Sequence, residues 1–184
     1  MGRPAVFLDR DGVIAESRRS DAGSAPPRSV EDTAIPDGAT DALHSLGAAG
    51  YSLVVVTNQP DVARGTKTHA DVDAINVMLR DALALDAIYV CFHDGSDCAC
   101  RKPRPGLLLD ATRDLDLALD RSWLIGDRWV DIAAGAAAGV RTILIERAWS
   151  WEPTSSGAPP PDLAPTAAVA TIGAAAEVIL GSSL

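Results

Sequence analysis

Short runs of consecutive apolar residues alternate along this chain with longer stretches whose apolar positions recur at helical spacing. Runs at 5–9 (AVFLD), 52–57 (SLVVVT), 87–91 (AIYVC), 122–126 (SWLIG), 141–146 (RTILIE) and 167–171 (AAVAT) read as strands. They are continuous rather than alternating, the pattern of parallel strands covered on both faces. Helical patterns fill 38–49, 69–84, 106–118, 130–138 and 172–180. In the second of these, Val72, Ile75, Leu79 and Leu83 form an apolar stripe, and Thr68-x-x-Asp71 opens it as a capping box. Gly50 and Gly139 stand where helix C-caps are expected. Strand–helix alternation with right-handed crossovers predicts an α/β fold with a doubly wound parallel sheet. Residues 12–36, rich in Ser, Pro, Gly and charge, predict an irregular excursion after the first strand, with a small flap. Residues 152–166 read as a linker crossing to a last strand and helix at 167–181; a tail that never docks is the alternative. The expectation is one domain over 1–184 with its core in 5–150, and no internal repeat.

Composition narrows the class. A chain of 184 residues, 47% of them hydrophobic, suits a single core, built mainly from aliphatic residues because aromatics are only 4%. The formal charge is −9 and no Lys/Arg-rich run occurs, which argues against nucleic-acid or anionic-membrane partners. A small phosphorylated molecule stays open, because a metal and a few basic residues can neutralise a phosphate locally. No apolar stretch reaches bilayer length. The first strand begins near Ala5, leaving no room for a signal peptide, and Met1-Gly2-Arg3-Pro4-Ala5-Val6 lacks the Ser/Thr of a myristoylation signal. A soluble, cytoplasmic, monomeric protein is expected. The three cysteines fall within 91–100, which is no disulfide framework.

The chemistry collects at strand ends, where open α/β sheets bind ligands. The first strand ends in Asp9, with Asp11 two residues on; the second ends in Thr57-Asn58; the fourth ends in Gly126-Asp127, with Asp131 following; and Arg101-Lys102-Pro103 opens the third helix. Each has an ordinary explanation alone. Asp11-Gly12 suits a turn, Thr57 a strand, Asp127 and Asp131 a helix N-terminus, and Lys102 a solvated surface. Their coincidence at consecutive strand ends favours one shared site. Clustered carboxylates repel unless a cation lies between them. A hard ion such as Mg²⁺, held by a few carboxylate oxygens with positions left for water and phosphate, fits that need.

These residues carry a resemblance. Phe7-Leu8-Asp9-Arg10-Asp11-Gly12-Val13 resembles the first motif of the haloacid dehalogenase (HAD) superfamily of phosphatases. Val55-Val56-Thr57-Asn58-Gln59 resembles the second, Lys102-Pro103 the third, and Gly126-Asp127-Arg128-Trp129-Val130-Asp131 the fourth. Order and spacing match over residues 5–150. The resemblance implies a Mg²⁺-dependent phosphomonoesterase. Asp9 would be the nucleophile that forms an aspartyl-phosphate, and Asp11 the general acid and base. Thr57 and Lys102 would hold phosphoryl oxygens. Mg²⁺ would be held by Asp9, the backbone carbonyl of Asp11, and Asp127, with Asp131 and Arg128 behind them.

Cys91-x-His93 and Cys98-x-Cys100 give three thiolates and an imidazole, a closed tetrahedral set suited to structural Zn²⁺; a reduced, partly buried cysteine cluster is the alternative. Zn²⁺ would fix a loop that has no apolar anchor and would so position Arg101-Lys102. His44 and His69 lie on helical patterns and read as surface or packing residues. The block Cys-x-His…Cys-x-Cys-Arg-Lys-Pro-x-Pro-Gly resembles the capless HAD branch that acts on heptose 1,7-bisphosphate or histidinol phosphate. In that branch the residues matching Asn58, Gln59 and Arg101 line the substrate site, and Arg64 falls in the same matched run. Neither the stretch from Asp11 to Thr57 nor that from Thr57 to Lys102 has room for a large cap. The chain departs from the branch at Pro60, which removes a backbone N–H, at Asp61, which adds a negative charge, at Arg128, where Lys is usual, and in 17–29. The substrate implied is a sugar bisphosphate, most directly the heptose compound hydrolysed at its 7-phosphate, with histidinol phosphate second. A catalytically silent zinc-stabilised binding module is the reading from another class, and a polynucleotide-end phosphatase is disfavoured by the acidic balance.

Overall fold

Along β1 (Ala5–Leu8) side chains point alternately to opposite faces, so an all-apolar strand needs cover on both sides. Val6 and Leu8 enter one core and Ala5 and Phe7 the other. The computed structural model describes residues 2–20, 23–95 and 98–182; positions 21 and 22 of the expected excursion, 96 and 97 of the cysteine loop, and the extreme ends of the expected 1–184 domain lie outside the described residues.

After β1 come a short antiparallel hairpin, β2 (Arg18–Ser20) and β3 (Gly23–Ala25), then α1 (Ala39–Ala48), β4 (Ser52–Asn58), α2 (His69–Leu83) and β5 (Ala87–Cys91). The chain continues through α3 (Gly106–Leu115), a 3₁₀ turn at Leu119–Arg121, β6 (Trp123–Gly126), α4 (Trp129–Ala138), β7 (Arg141–Ile145), β8 (Ala167–Val169) and α5 (Ile172–Gly181). The six main strands pair in parallel in the order β5-β4-β1-β6-β7-β8. Helices α1, α2 and α5 pack with Val6, Leu8, Val55, Ile125 and Ile143, while α3 and α4 pack with Phe7, Val54, Val56 and Leu124. Winding therefore runs outward from β1 through β4 to β5, returns beside β1 at β6, and continues the other way. That reversal opens a crevice above β1, β4 and β6, the usual ligand position of such folds. Truncating a fully buried core residue such as Leu8 to Ala would cost roughly 2–5 kcal/mol.

The capping box at Thr68 forms as expected: its hydroxyl accepts from the Asp71 N–H and Asp71 accepts from the Thr68 N–H. Gly50 and Gly139, with φ of 94° and 78°, follow or cap α1 and α4. Several bounds shift. The helix expected over 106–118 stops at Leu115, because Asp116 turns left-handed (φ 49°) and Leu117 bridges to Arg3. Asp9 lies just beyond its strand, though its N–H still bonds Ile125 O at 2.9 Å. The strands expected over 141–146 and 167–171 end at Ile145 and Val169. The flap is the β2–β3 hairpin, and Val30 and Ile35 from the rest of the excursion pack on the core. The linker leads into β8, paired with β7, and α5, packed on α1, so the last segment docks. No helix among the described residues is long and apolar enough to cross a membrane.

Candidate active site

The crevice at the winding reversal collects the polar strand ends. Asp9 leaves β1, Thr57 and Asn58 end β4, and Asp127 follows β6. Lys102 arrives from the loop before α3, across a cis bond to Pro103. The walls add Pro26, Gln59, Pro60, Asp61, Arg64, Arg101, Arg128 and residues 153–156 around a cleft of about 380 Å³.

Lys102 is the hub. Its ammonium sits 2.7 Å from Asp9 Oδ1, 2.6 Å from Asp131 Oδ1, and donates to Val56 O at 2.7 Å, with the side chain 1% exposed. Burial works against its charge, but Asp131 and Asp9 outweigh burial and raise its pKa. Its backbone is gripped by Asn58, whose amide donates to Lys102 O and accepts from Lys102 N–H, both at 3.1 Å. Asn58 was expected at the substrate; it lines the cleft, yet its amide group is committed to holding Lys102.

Asp9, Asp127 and Asp131 each place a carboxylate oxygen within 4.8 Å of the other two, and all three are buried or nearly so. One ammonium does not balance three carboxylates. Burial lifts Asp9 from 3.8 to about 6, with Lys102 opposing and Asp131 and Asp11 adding to the rise. Burial, then the charges of Asp9 and Asp131, raise Asp127 well above the carboxylate range. A divalent cation would relieve both, and an all-carboxylate donor set suits a small hard ion. Asp131 also accepts from Arg128 N–H at 3.0 Å, closing the first turn of α4. Two glycines make the room. A Cβ at Gly12 would collide with the Asp127 carboxylate, and one at Gly126 with Asp131; Gly12 also has φ 95°.

Asp11 is held differently. Arg10 Nε and Nη2 meet its two oxygens at 3.0 and 3.1 Å, and Gln59 Nε2 donates to Oδ2 at 2.7 Å. The same Gln59 nitrogen lies 3.0 Å from Thr57 Oγ1. Arg10 is fully buried, with Nη1 donating to Asn76 of α2 at 3.0 Å. Arg10 was not singled out from sequence, since an Arg between two acids reads as a surface charge. The signal was its place directly after an apolar strand, where a long side chain folds back beneath a helix.

Trp149 and Ser150 are the other pair without a sequence signal. Trp149 Nε1 donates to Asp127 Oδ2 at 2.6 Å and Ser150 Oγ to Asp127 O at 2.7 Å. Arg64 grips Asp94 through two nitrogens, at 2.8 and 2.5 Å, and lies 3.7 Å from Asp61, so the extra acid at 61 has a cationic neighbour. Arg101 donates to His93 O and Ser155 Oγ. Arg128 lines the cleft at the start of α4.

Beside the cleft, Cys91, His93, Cys98 and Cys100 place their sulfur and ring-nitrogen atoms within 4.8 Å of one another. The Cys91–Cys98 sulfur separation of 3.8 Å matches tetrahedral ligation, where bonds of about 2.3 Å set thiolates a little under 4 Å apart, while Cys100 and Cys91 stand closer, at 3.1 Å. Burial, then the Cys100 contact, pushes the Cys91 thiol up to about 12, so without a cation beside it Cys91 stays a thiol. His69 packs edge-on against Phe92 at 4.3 Å, a packing role.

With this geometry in hand, the comparisons are specific. Residues 99–171 match the HAD-hydrolase-like family model. The chain is 39% identical over 157 residues to the D-glycero-beta-D-manno-heptose-1,7-bisphosphate 7-phosphatase of Salmonella typhi, covering 78% of this chain and 80% of that one. It is 36% identical over 148 residues to the protein of that name from Helicobacter pylori (strain J99), covering 77% and 82%. The crystal structure of D,D-heptose 1,7-bisphosphate phosphatase from B. bronchiseptica, complexed with magnesium and phosphate, matches 98% of this chain and 99% of that chain at 32% identity and a TM-score of 0.80. Such identity over four-fifths of a relative, on a shared sheet, settles the lineage: the chain belongs to the HAD family of phosphatases.

Proposed function

We propose that this phosphatase hydrolyses a small sugar bisphosphate, D-glycero-D-manno-heptose 1,7-bisphosphate, at its 7-phosphate, through an intermediate on Asp9. The observation that carries the reading is the cluster of Asp9, Asp127 and Asp131 around a single buried ammonium at the winding reversal. It is short of positive charge and open to a cleft sized for a small ligand. The substrate is the one for which the similar proteins are named.

Asp9 and Asp127, with the Asp11 backbone carbonyl, would hold Mg²⁺, which when bound offsets the repulsion between an anionic nucleophile and an anionic phosphate. Asp9 attacks phosphorus, and Lys102 beside it holds a phosphoryl oxygen where charge gathers, with the Thr57 hydroxyl serving another. Asp11 protonates the departing oxygen and later takes a proton from the water that hydrolyses the intermediate. Before it does so it must loosen from Gln59 and Arg10, which now occupy both its oxygens. Asp131, 2.6 Å from the Lys102 ammonium, helps to fix it beside Asp9. Arg64, Arg101, Gln59 and Arg128 shape the rest of the cleft.

Cys91, His93, Cys98 and Cys100 would hold structural Zn²⁺. That ion would fix the loop from which Arg101 and Lys102 depart, because Arg101 bonds His93 O and Gln59 N–H bonds Cys91 O at 2.7 Å. The whole chain works as one domain, with residues 153–156 of the linker serving as a cleft wall.

The test is phosphate release, with and without Mg²⁺, from heptose 1,7-bisphosphate, other sugar phosphates, histidinol phosphate and nucleotides. Mg²⁺-dependent release from the heptose bisphosphate at least tenfold above the others is expected. A preference for histidinol phosphate, or no release from any, overturns the substrate.

A further inference from the structure

Residues 147–152, just after β7, have no role in the scheme above, yet they are fastened to the acidic cluster at several points. Trp149 is 5% exposed and spends its indole N–H on Asp127 Oδ2 at 2.6 Å. Ser150 Oγ donates to Asp127 O at 2.7 Å and accepts from Arg147 N–H at 2.8 Å, while Trp129 N–H donates to Ser150 O at 2.9 Å. Trp129 Nε1 donates to Glu152 O at 3.1 Å, and Arg147 Nη2 donates to Gly12 O at 3.3 Å. The turn thus touches the Asp127 side chain, the Asp127 backbone and the glycine that faces them.

A buried tryptophan could have donated to any carbonyl. Donating to one oxygen of a carboxylate that faces two further carboxylates has a chemical consequence. That oxygen is partly occupied, and the carboxylate is left to offer the other to a cation. Mg²⁺ takes single oxygens at short distance in a near-octahedral arrangement, whereas Ca²⁺ readily takes both oxygens of a carboxylate in a larger, looser shell. Partners that orient a metal ligand typically alter metal affinity by 10–100-fold when removed.

We propose that Trp149 is a positioning residue that holds Asp127 to one-oxygen ligation and thereby biases the site toward Mg²⁺ over Ca²⁺. This rests on the reading of Asp127 as a cation ligand. A merely structural tryptophan would affect folding and leave the ratio of the two affinities alone.

The experiment measures Mg²⁺ and Ca²⁺ binding by calorimetry, without substrate, on the zinc-loaded protein and on Trp149→Phe, Trp129→Phe and Asp127→Asn. Trp149→Phe should weaken Mg²⁺ about tenfold or more and Ca²⁺ less, so the Mg²⁺/Ca²⁺ preference falls. Trp129→Phe removes a hydrogen bond from the same segment without touching a carboxylate, and should keep the preference. An unchanged ratio in Trp149→Phe, with wild-type binding intact and Asp127→Asn impaired, overturns the proposal alone. Wild-type protein that binds no Mg²⁺, or Asp127→Asn that binds it normally, overturns the reading of Asp127 and the proposal with it. Should Trp149→Phe not fold, the indole N–H resonances of the wild type decide. One of them should move on adding Mg²⁺ and shift in Asp127→Asn; if none does, the proposal fails.

Discussion

Lys102 Nζ stands 2.7 Å from Asp9 Oδ1, although 93 positions separate the two residues, and this pair closes the acidic cluster at the winding reversal. The contact depends on the amide of Asn58, which takes both the N–H and the carbonyl of Lys102.

Replacing Lys102 by Met keeps the length of the side chain and removes its charge. Turnover should fall by about 10²–10³-fold, the usual cost of losing one donor to a charge-bearing oxygen. Without Mg²⁺ the variant should also lose roughly 3 kcal/mol of stability, because buried Asp9, Asp127 and Asp131 keep no cation. Urea denaturation with and without Mg²⁺ checks this: the ion should recover more stability in Lys102→Met than in wild type.

The raised Asp9 sets a pH dependence. Its ordinary value is 3.8 and its folded value about 6, chiefly through burial. The folded chain therefore holds this proton more tightly than the unfolded chain, and ionising it opposes folding. Metal-free wild type should lose stability relative to Asp9→Asn as pH rises from about 4 to about 6, then change little. Mg²⁺ competes with the same proton, so its apparent affinity should rise through that window. Thermal melts and Mg²⁺ titrations at stepped pH test both; a Mg²⁺ affinity flat from pH 4 to 7 counts against Asp9 as a ligand.

Arg10 is fully buried and has three partners' oxygens within reach, two on Asp11 and one on Asn76. Arg10→Met should cost about 3–5 kcal/mol by leaving Asp11 without its fork, and Arg10→Lys should recover only part, since an ammonium cannot match both oxygens. Turnover should fall in both, because the proposed acid–base group loses the neighbour that orients it. Turnover equal to wild type would argue that Arg10 serves packing alone.

Purified protein should contain one zinc per chain. Cys98→Ser, at the more exposed end of the cluster, should lower zinc content and activity together, and added Mg²⁺ should not restore activity. Metal analysis beside the activity assay decides; full activity with no zinc would remove the link between this loop and Lys102.

The sheet, its helices and the acids at its edge were legible because parallel strands buried on both faces are written as unbroken apolar runs, and three of these runs lead into Asp9, Thr57-Asn58 and Asp127. Cys-x-His and Cys-x-Cys were legible for a similar reason: short spacings bring their side chains close together. What stayed hidden depends on contacts between distant segments. Nothing near Arg10 in sequence shows that Asn76 will roof it, and nothing near Trp149 points to Asp127. The overshoot of α3 has the same origin, since Asp116 ends the helix so that Leu117 can reach Arg3. The resemblance places Asn58 at the substrate site, and what it could not show is the reciprocal bond between its amide and a backbone 44 residues away.

Part of the cleft wall comes from Pro26, from Pro60, Asp61 and Arg64, and from 153–156, and none of these residues belongs to either packed core. Their replacement would not open cavities or strand buried apolar surface. The rim can therefore diversify by mutation at little risk to foldability, while the acids and Lys102 beneath it cannot. In this lineage, novelty in what is accepted should arise at the rim first, and a library confined to those three segments is where new specificities should be sought.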